Sequence, residues 1–400
     1  MKGGFLMRYD VIVAGAGCAG FAAAVGAART GKKVLLLDGN ASPGGVTVFS
    51  GCPVFTPYQT FEDQPPRGVF KEFLDSLGDR WGCFGGAPAC KTSEFDAALT
   101  MTRMLKDAGV DLLFYATVID AACAHDRIES VTVFCCGRKM TFEADHFVDA
   151  TGDAVLTEMA GGRTVTAEES ESMTKTVLFR VTGVEDFDKS RIRELFSSLD
   201  FPYPWQNNFM GTRVGCDGKD ILINLSAVRG DALDPFDRTR MDTELREQVD
   251  VIHRWLRKKV PGFENCRISA VAPAIGVRCS RVIVGRTVIT CHDIDENTPV
   301  SDGVATGRRS YGDHFVDRFR SPWGRDHQGT RPVPYGALIP ERIANLTAAG
   351  RCISVEPRVI TTVRYAPCCM ATGQAAGVAA ALGIPAYDVL KTELVRQGAL

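Results

Sequence analysis

Val11-Ile12-Val13-Ala14-Gly15-Ala16-Gly17-Cys18-Ala19-Gly20 decides how the rest of this chain is read. An apolar run enters Gly-x-Gly-x-x-Gly. An Ala-rich segment follows from Phe21 to Arg29, then a second apolar run, Val34 to Leu37, that ends at Asp38. The order is strand, tight turn, helix, strand. Gly15 permits the sharp turn. Gly17, lacking a Cβ, lets a pyrophosphate reach the backbone, and Gly20 lets the helix pack close to the sheet. The free N–H groups at the positive end of that helix face the phosphates. Asp38, closing the second strand, is placed to accept both ribose hydroxyls. The unit is expected to bind a dinucleotide.

The bulk of the chain agrees with a globular protein. Its 400 residues suffice for two or three domains' worth of core. Apolar content of 45% and charged content of 24% are ordinary. A net charge of -2 without a basic stripe argues against a nucleic-acid partner. No run of about 20 apolar residues offers a membrane helix. The first apolar stretch is already the nucleotide strand, so it is not read as a cleaved signal. Fourteen cysteines are present and none forms C-x-x-C. With no export signal they read as reduced, mostly core residues of a cytoplasmic protein.

Further along, helices are expected near Val69 to Leu77, over Glu94 to Ala108 with Gly109 as the stop, over Met241 to Lys259, and from near Pro367 through Leu382. Short strands are expected at Asp111 to Phe114, Ala116 to Ala122, Ile128 to Cys135 and Lys139 to Phe142, a small meander turning at Gly137-Arg138. His146 to Ala150 reads as another buried strand running into Thr151-Gly152-Asp153. From Thr164 to Pro334 apolar alternation recurs over Thr176 to Val181, Ile221 to Leu225 and Arg281 to Ile289. Asp302 to Arg331 reads as a loop dense in Arg and His. The expected fold is α/β: a Rossmann-like domain of parallel sheet plus antiparallel meander, built from residues 1–57, 91–163 and 335–400. Residues 58–90 form an irregular connection near the cofactor, and 164–334 an inserted α+β substrate or cap domain.

These blocks together resemble the two-dinucleotide-binding flavoproteins, and more narrowly the FAD-dependent oxidoreductases related to the fumarate reductase flavoprotein group. The resemblance is carried by the opening motif with Asp38, by Gly44-Gly45, by Phe147 to Asp153, by Gly276 to Gly285, and most specifically by the segment from Asn345 to Leu382. It implies FAD as the cofactor. It further implies that Gly15, Gly17, Cys18, Ala19 and Gly20 meet the pyrophosphate, Asp38 and Gly39 the adenosine ribose, and backbone near Val118 the adenine. Gly44, Gly45, Val46 and Cys52 would lie by the cofactor. Ala150, Thr151 and Gly152 would pass the pyrophosphate, Gly350 and Arg351 approach the ribityl chain, and Cys369 and Met370 sit on the helix aimed at the flavin pyrimidine edge. A helix N-terminus there suits the negative charge of a reduced flavin.

Gly44 to Cys52 resembles the redox loop of disulfide reductases, with Thr47 where the first cysteine would stand. One sulfur cannot form a dithiol relay, so disulfide reduction is not expected. Cys52 reads as a buried small residue, with a flavin contact or covalent tether as the alternative. There is no second Gly-x-Gly-x-x-Gly, hence no separate nicotinamide site. Candidate catalytic groups are Arg278, Arg281, Arg364, Tyr365, His314 and His327, with Tyr335 beside them. A guanidinium can hold a carboxylate, and a His or Tyr can move a proton. Arg308, Arg309, Arg318, Arg320, Arg325 and Arg331 read as a solvated or inter-subunit face. Cys291-His292-Asp293, taken as strand residues, point to opposite faces, and no metal site is expected. Neither a hydrolase elbow nor a P-loop is present.

The expected function is hydride transfer between flavin N5 and a small polar or anionic substrate. An O2-using oxidase or monooxygenase and a non-catalytic FAD-binding protein remain alternatives. Substrate, electron acceptor, covalent attachment of FAD and oligomeric state, including a homo-oligomer, stay open.

Overall fold

The opening unit forms as read: strand Met7–Ala14, helix Cys18–Ala28, and strand Val34–Leu37, parallel to the first. The computed structural model describes residues 7–56, 65–82, 90–168, 172–185, 188, 192, 201–203, 211–214, 219–314 and 320–400. The helix Cys18–Ala28 is apolar all round, and Ala19 through Ala27 are all buried. A helix of that composition is stable only when enclosed. It is enclosed by the sheet on one side and by helix Ala366–Ala381 on the other. That crossing is close enough to need glycine. A Cβ on Gly373 would lie 2.1 Å from the Ala19 carbonyl oxygen, and one on Gly377 would lie 2.0 Å from that of Ala23.

The main sheet has seven strands. Asp111–Leu113, Val34–Leu37, Met7–Ala14 and Arg138–Asp149 run parallel in that order, and Leu346–Ala348 joins the last of them in parallel. Arg127–Cys135 and Ala116–Ala124 complete it as an antiparallel meander. Lys139 to Phe142 and His146 to Ala150, read as two strands, belong to one, Arg138–Asp149. Glu143 and Asp145 lie inside it without breaking it. They face outward, within 3.7 and 2.6 Å of the Arg8 guanidinium, while Ala144 between them points inward.

A second apolar core lies between Val177 and Val277. Its sheet is antiparallel, in the order Gly211–Val214, Asp220–Ile223, Phe179–Thr182, Arg267–Val271. Helix Pro235–Lys259 buries Met241, Leu245, Val249, Ile252 and Leu256 in the same core. It starts six residues before the expected Met241. Asp234 caps it, accepting from the Asp237 N–H at 2.7 Å, and Pro235 opens the first turn.

Three other expectations fail. Asp302 to Arg331 is not a loop: Gly303–Asp313 and Arg320–Pro334 form a long antiparallel ribbon. Its charges hid the apolar residues Val304, Ala305, Tyr311 and Val333, which pack into the first core. The Arg281 to Ile289 run is strand only over Arg281–Ile283, and Cys291–Glu296 is a helix with a Thr290/Asp293 capping box rather than a strand. Among the described residues no group of His, Cys, Asp and Glu could hold a metal, and no helix is long and apolar enough to cross a membrane. Of 58–90, residues 65–82 include helix Gly68–Leu77; 57–64 and 83–89 lie outside the described residues.

Candidate active site

The opening turn is built around Gly15. Its φ of +98° suits glycine, and a Cβ there would lie 2.4 Å from the Ala150 carbonyl oxygen. Gly20 serves packing: its Cβ would sit 1.7 Å from the Gly15 oxygen. Gly17 caps helix Cys18–Ala28 without a side-chain bond, leaving the helix N-terminus to the cavity in front of it. Asp38 also fastens the turn. One carboxylate oxygen accepts the Ala16 N–H at 2.5 Å, and the other accepts from the Asn40 backbone and amide at 2.7 and 2.9 Å.

That cavity has a volume of about 650 Å³. Gly15, Gly17, Cys18, Ala19, Asp38, Gly45, Val46, Cys52, Ala150, Thr151, Gly152, Gly350, Arg351 and Cys369, all named from sequence, border it. So do Arg278, His314, Arg364 and Tyr365. The others do not border it. Gly39 abuts Thr117, Gly44 turns the chain at Val48, and Val118 lies in the meander opposite Val133. Met370 and Tyr335 are buried in the first core. Arg281 donates to the Asp153 carbonyl at 3.0 Å and pairs with Glu158 at 3.4 Å. His327 pairs with Asp295 at 2.7 Å. In the arginine-rich ribbon, Arg309 and Arg331 donate to carbonyls of helix Cys291–Glu296, Arg325 is exposed, and Arg308 borders the cavity. Arg318 and the Arg320 side chain lie outside the described residues.

The end of the cavity at the opening turn carries a buried donor. Arg351 lies against Gly152, where a Cβ would come within 2.5 Å of its Nη2. Its Nη2 is 3.3 Å from Asp153, whereas Nη1 is buried without a protein partner. A buried guanidinium N–H left over beside a glycine turn and a helix N-terminus fits a diphosphate.

The opposite end centres on Asp313, which the sequence reading missed. This buried carboxylate accepts from Arg364 Nη2 at 3.0 Å, Tyr365 OH at 3.2 Å and Thr361 Oγ1 at 2.5 Å, and His314 Nε2 lies at 3.9 Å. Burial works against its charge, yet Arg364 above all, with the Thr361 hydroxyl, holds the carboxyl well below the usual range. Burial likewise opposes the charge of Arg364, but Asp313 more than restores it. Arg278 donates to the Thr174 carbonyl at 2.6 Å and to Asn224 Oδ1 at 3.3 Å. Among the described residues no carboxylate lies within ion-pair distance of it. Burial and then Arg364 push its pKa down to about 10, so it stays charged at neutral pH. Burial and then Asp313 raise Tyr365. This end therefore holds three guanidiniums, of Arg278, Arg308 and Arg364, against one carboxylate.

His314 is neutral there: burial, then Arg278, hold its imidazole well below the ordinary value. Unfolded, the same group takes a proton near pH ~6.5. Between those two values the unfolded state binds more protons. Stability contributed by this site is therefore present above about pH 6.5 and falls as the pH drops below it, by up to about 1.4 kcal/mol per pH unit. His314→Gln should flatten that slope in urea midpoints compared near pH 7.5 and 5.5; an unchanged slope would remove His314 as its source.

The thiols bordering the cavity are not poised to react. Burial raises Cys52, and pushes Cys18, 3.3 Å from the Thr47 hydroxyl, up to about 11.

A family profile described as FAD dependent oxidoreductase matches residues 10–388. No curated protein matches the sequence. Among solved structures, p-nitrophenol 4-monooxygenase from Pseudomonas putida is similar with a TM-score of 0.52 at 11% identity, covering 98% of this chain and 85% of that one. A geranylgeranyl bacteriochlorophyll reductase-like protein from Thermoplasma acidophilum gives 0.48 at 12% identity, covering 99% and 81%. At such identities the likeness is one of fold.

Proposed function

This chain belongs to the FAD dependent oxidoreductase family, and we propose that it transfers hydride between FAD and a small anionic metabolite held beneath the antiparallel sheet. Bound FAD supplies the two-electron chemistry, accepting or donating hydride at N5. Gly15, Gly17, Gly152 and Arg351 would hold its diphosphate, and Asp38 its adenosine ribose. The N-terminus of helix Ala366–Ala381 would meet the flavin pyrimidine edge.

The observation that carries the reading is the excess of buried positive charge. At that end of the cavity Arg278, Arg308 and Arg364 face the single carboxylate of Asp313, and His314 adds no charge at pH 7. A buried, uncompensated guanidinium is costly in isolation. A substrate carboxylate would offset that cost and be oriented by planar N–H donors. Asp313 fixes Arg364, and the Thr174 carbonyl fixes Arg278, so both forks are set before the substrate arrives. The Tyr365 hydroxyl remains protonated at neutral pH and can hold a substrate oxygen or give up a proton. Leu222 of the antiparallel sheet, and Leu178 just before its strand Phe179–Thr182, cover the cavity with apolar surface and limit water.

An anaerobic screen tests this. Small carboxylic acids should bleach the yellow absorbance of the holoenzyme, and their primary amides should not. Arg278→Leu should weaken the active acids by about 10–100-fold, the worth of one lost charge-assisted contact. Bleaching by uncharged compounds alone would overturn the anionic reading. Rapid reoxidation in air with peroxide release would favour the O2-using alternative. A flavin that no candidate reduces would favour a binding role.

A further inference from the structure

The cavity wall next to Arg278 carries a second polar side chain that the proposed function leaves unused. Asn224, half-buried, follows strand Asp220–Ile223 and borders the cavity. Its Oδ1 lies 3.3 Å from Arg278 Nη2. A guanidinium has no acceptor, so the amide oxygen must face it; the flipped amide would set N–H against N–H. The Thr176 hydroxyl, 3.3 Å from the same oxygen, stands on that side as well. The amide nitrogen is thereby turned away from both. Among the described residues no protein acceptor lies within hydrogen-bonding distance of it.

We infer that Asn224 reads the substrate, donating to an oxygen on the carbon next to the carboxylate that Arg278 holds. The substrate class is then the 2-oxo or 2-hydroxy carboxylates. This rests on the anion site proposed above. Arg278 and Asn224 are in direct contact, so their free donors are close neighbours on the cavity wall. An oxygen one carbon from the carboxylate is then within reach of the amide while Arg278 holds the acid. The chemistry of the donor narrows the class further. A neutral amide offers N–H groups without charge, which suits a carbonyl or hydroxyl better than a second carboxylate. Leaving that donor unmatched beneath apolar cover would count against an acid lacking the oxygen. The Thr174 carbonyl, 2.6 Å from Arg278 Nη1, keeps the guanidinium plane fixed, so the two donors act as one unit.

Pyruvate and propionate share a carbon skeleton and differ in the 2-oxygen. Each would be titrated into the oxidised holoenzyme while shifts in the visible flavin spectrum report binding. Pyruvate should bind at least about tenfold tighter, one good hydrogen bond's worth. Asn224→Leu should bring pyruvate down to the propionate level and change propionate by less than about threefold; Asn224→Ala, read the same way, replaces it if the Leu variant loses FAD. Equal binding of the two acids by the unaltered protein overturns the inference and leaves the anion site standing. A substitution that weakens both acids alike also overturns it, because Asn224 would then act only through Arg278. If neither acid binds, the anion site itself falls and the inference with it.

Discussion

Asp313→Ala is expected to destabilise the protein by about 3–5 kcal/mol, the cost of leaving a buried ion-pair partner alone. The carboxylate is 7% exposed and collects Arg364, Tyr365 and Thr361, with His314 close by. Without it, Arg364 keeps its charge in a buried site and repels Arg278, whose pKa its proximity already lowers. A surface ion pair deleted in the same way would cost well under about 1 kcal/mol. Thermal unfolding with FAD bound separates these two outcomes. Formate supplies a further test. If the loss is one of charge rather than of packing, tens of millimolar formate should recover much of the unfolding temperature and substrate binding. Chloride at equal ionic strength should recover less, because it cannot accept from a planar fork at two points. A variant as stable as the original protein would mean that solvent already screens the cluster, and the preset anion site would lose its foundation.

How far this site could be read from sequence depends on how local each part is. Gly15, Gly17, Gly20 and Asp38 lie within 24 consecutive positions, and their spacing follows from one turn and two strands. That part was legible. The helix start at Pro235 was visible too, in Asp234-Pro235, but the apolar stripe beginning at Met241 drew the boundary inward. The ribbon Gly303–Pro334 was hidden for a different reason. Its inward residues include Ser310, Asp313 and Arg331, polar groups buried by partners elsewhere in the chain, so its pattern looked solvated. Asp313 could not be singled out at all, because its buried charge is held by Arg364, 51 positions away. Arg308 was assigned to an outer face on the strength of its arginine neighbours. In the structure its guanidinium donates to Tyr365 OH at 3.4 Å from the cavity wall. Asn224 carried no signal in sequence, since its meaning depends on which way its amide is turned.

Two glycines should separate folding from cofactor binding. Gly373→Val is expected to cost about 3 kcal/mol, the upper end for overpacking a close-packed core. Helix propensity alone points the other way, because glycine is a poor interior helix residue by about 1 kcal/mol relative to alanine. The geometry decides the sign. The new Cβ would lie 2.1 Å from a backbone oxygen of helix Cys18–Ala28, and neither helix can yield without leaving the sheet. Since both helix N-termini border the cavity, FAD should also be lost, as a consequence of their separation. Gly17→Ala should do the reverse. Gly17 has φ -65°, open to any residue, and its Cβ would meet nothing closer than 4.0 Å. The protein without FAD should unfold within about 0.5 kcal/mol of the original, as substitutions clear of packing do. FAD affinity should fall by about 10–100-fold, because the methyl stands where the diphosphate approaches the backbone N–H groups. Urea unfolding of both variants without cofactor, alongside FAD titration of the Gly17 variant, gives the comparison. If Gly17→Ala binds FAD as tightly as the original protein, the diphosphate does not lie over the opening turn. The assignment of the cavity's two ends would then have to be reversed.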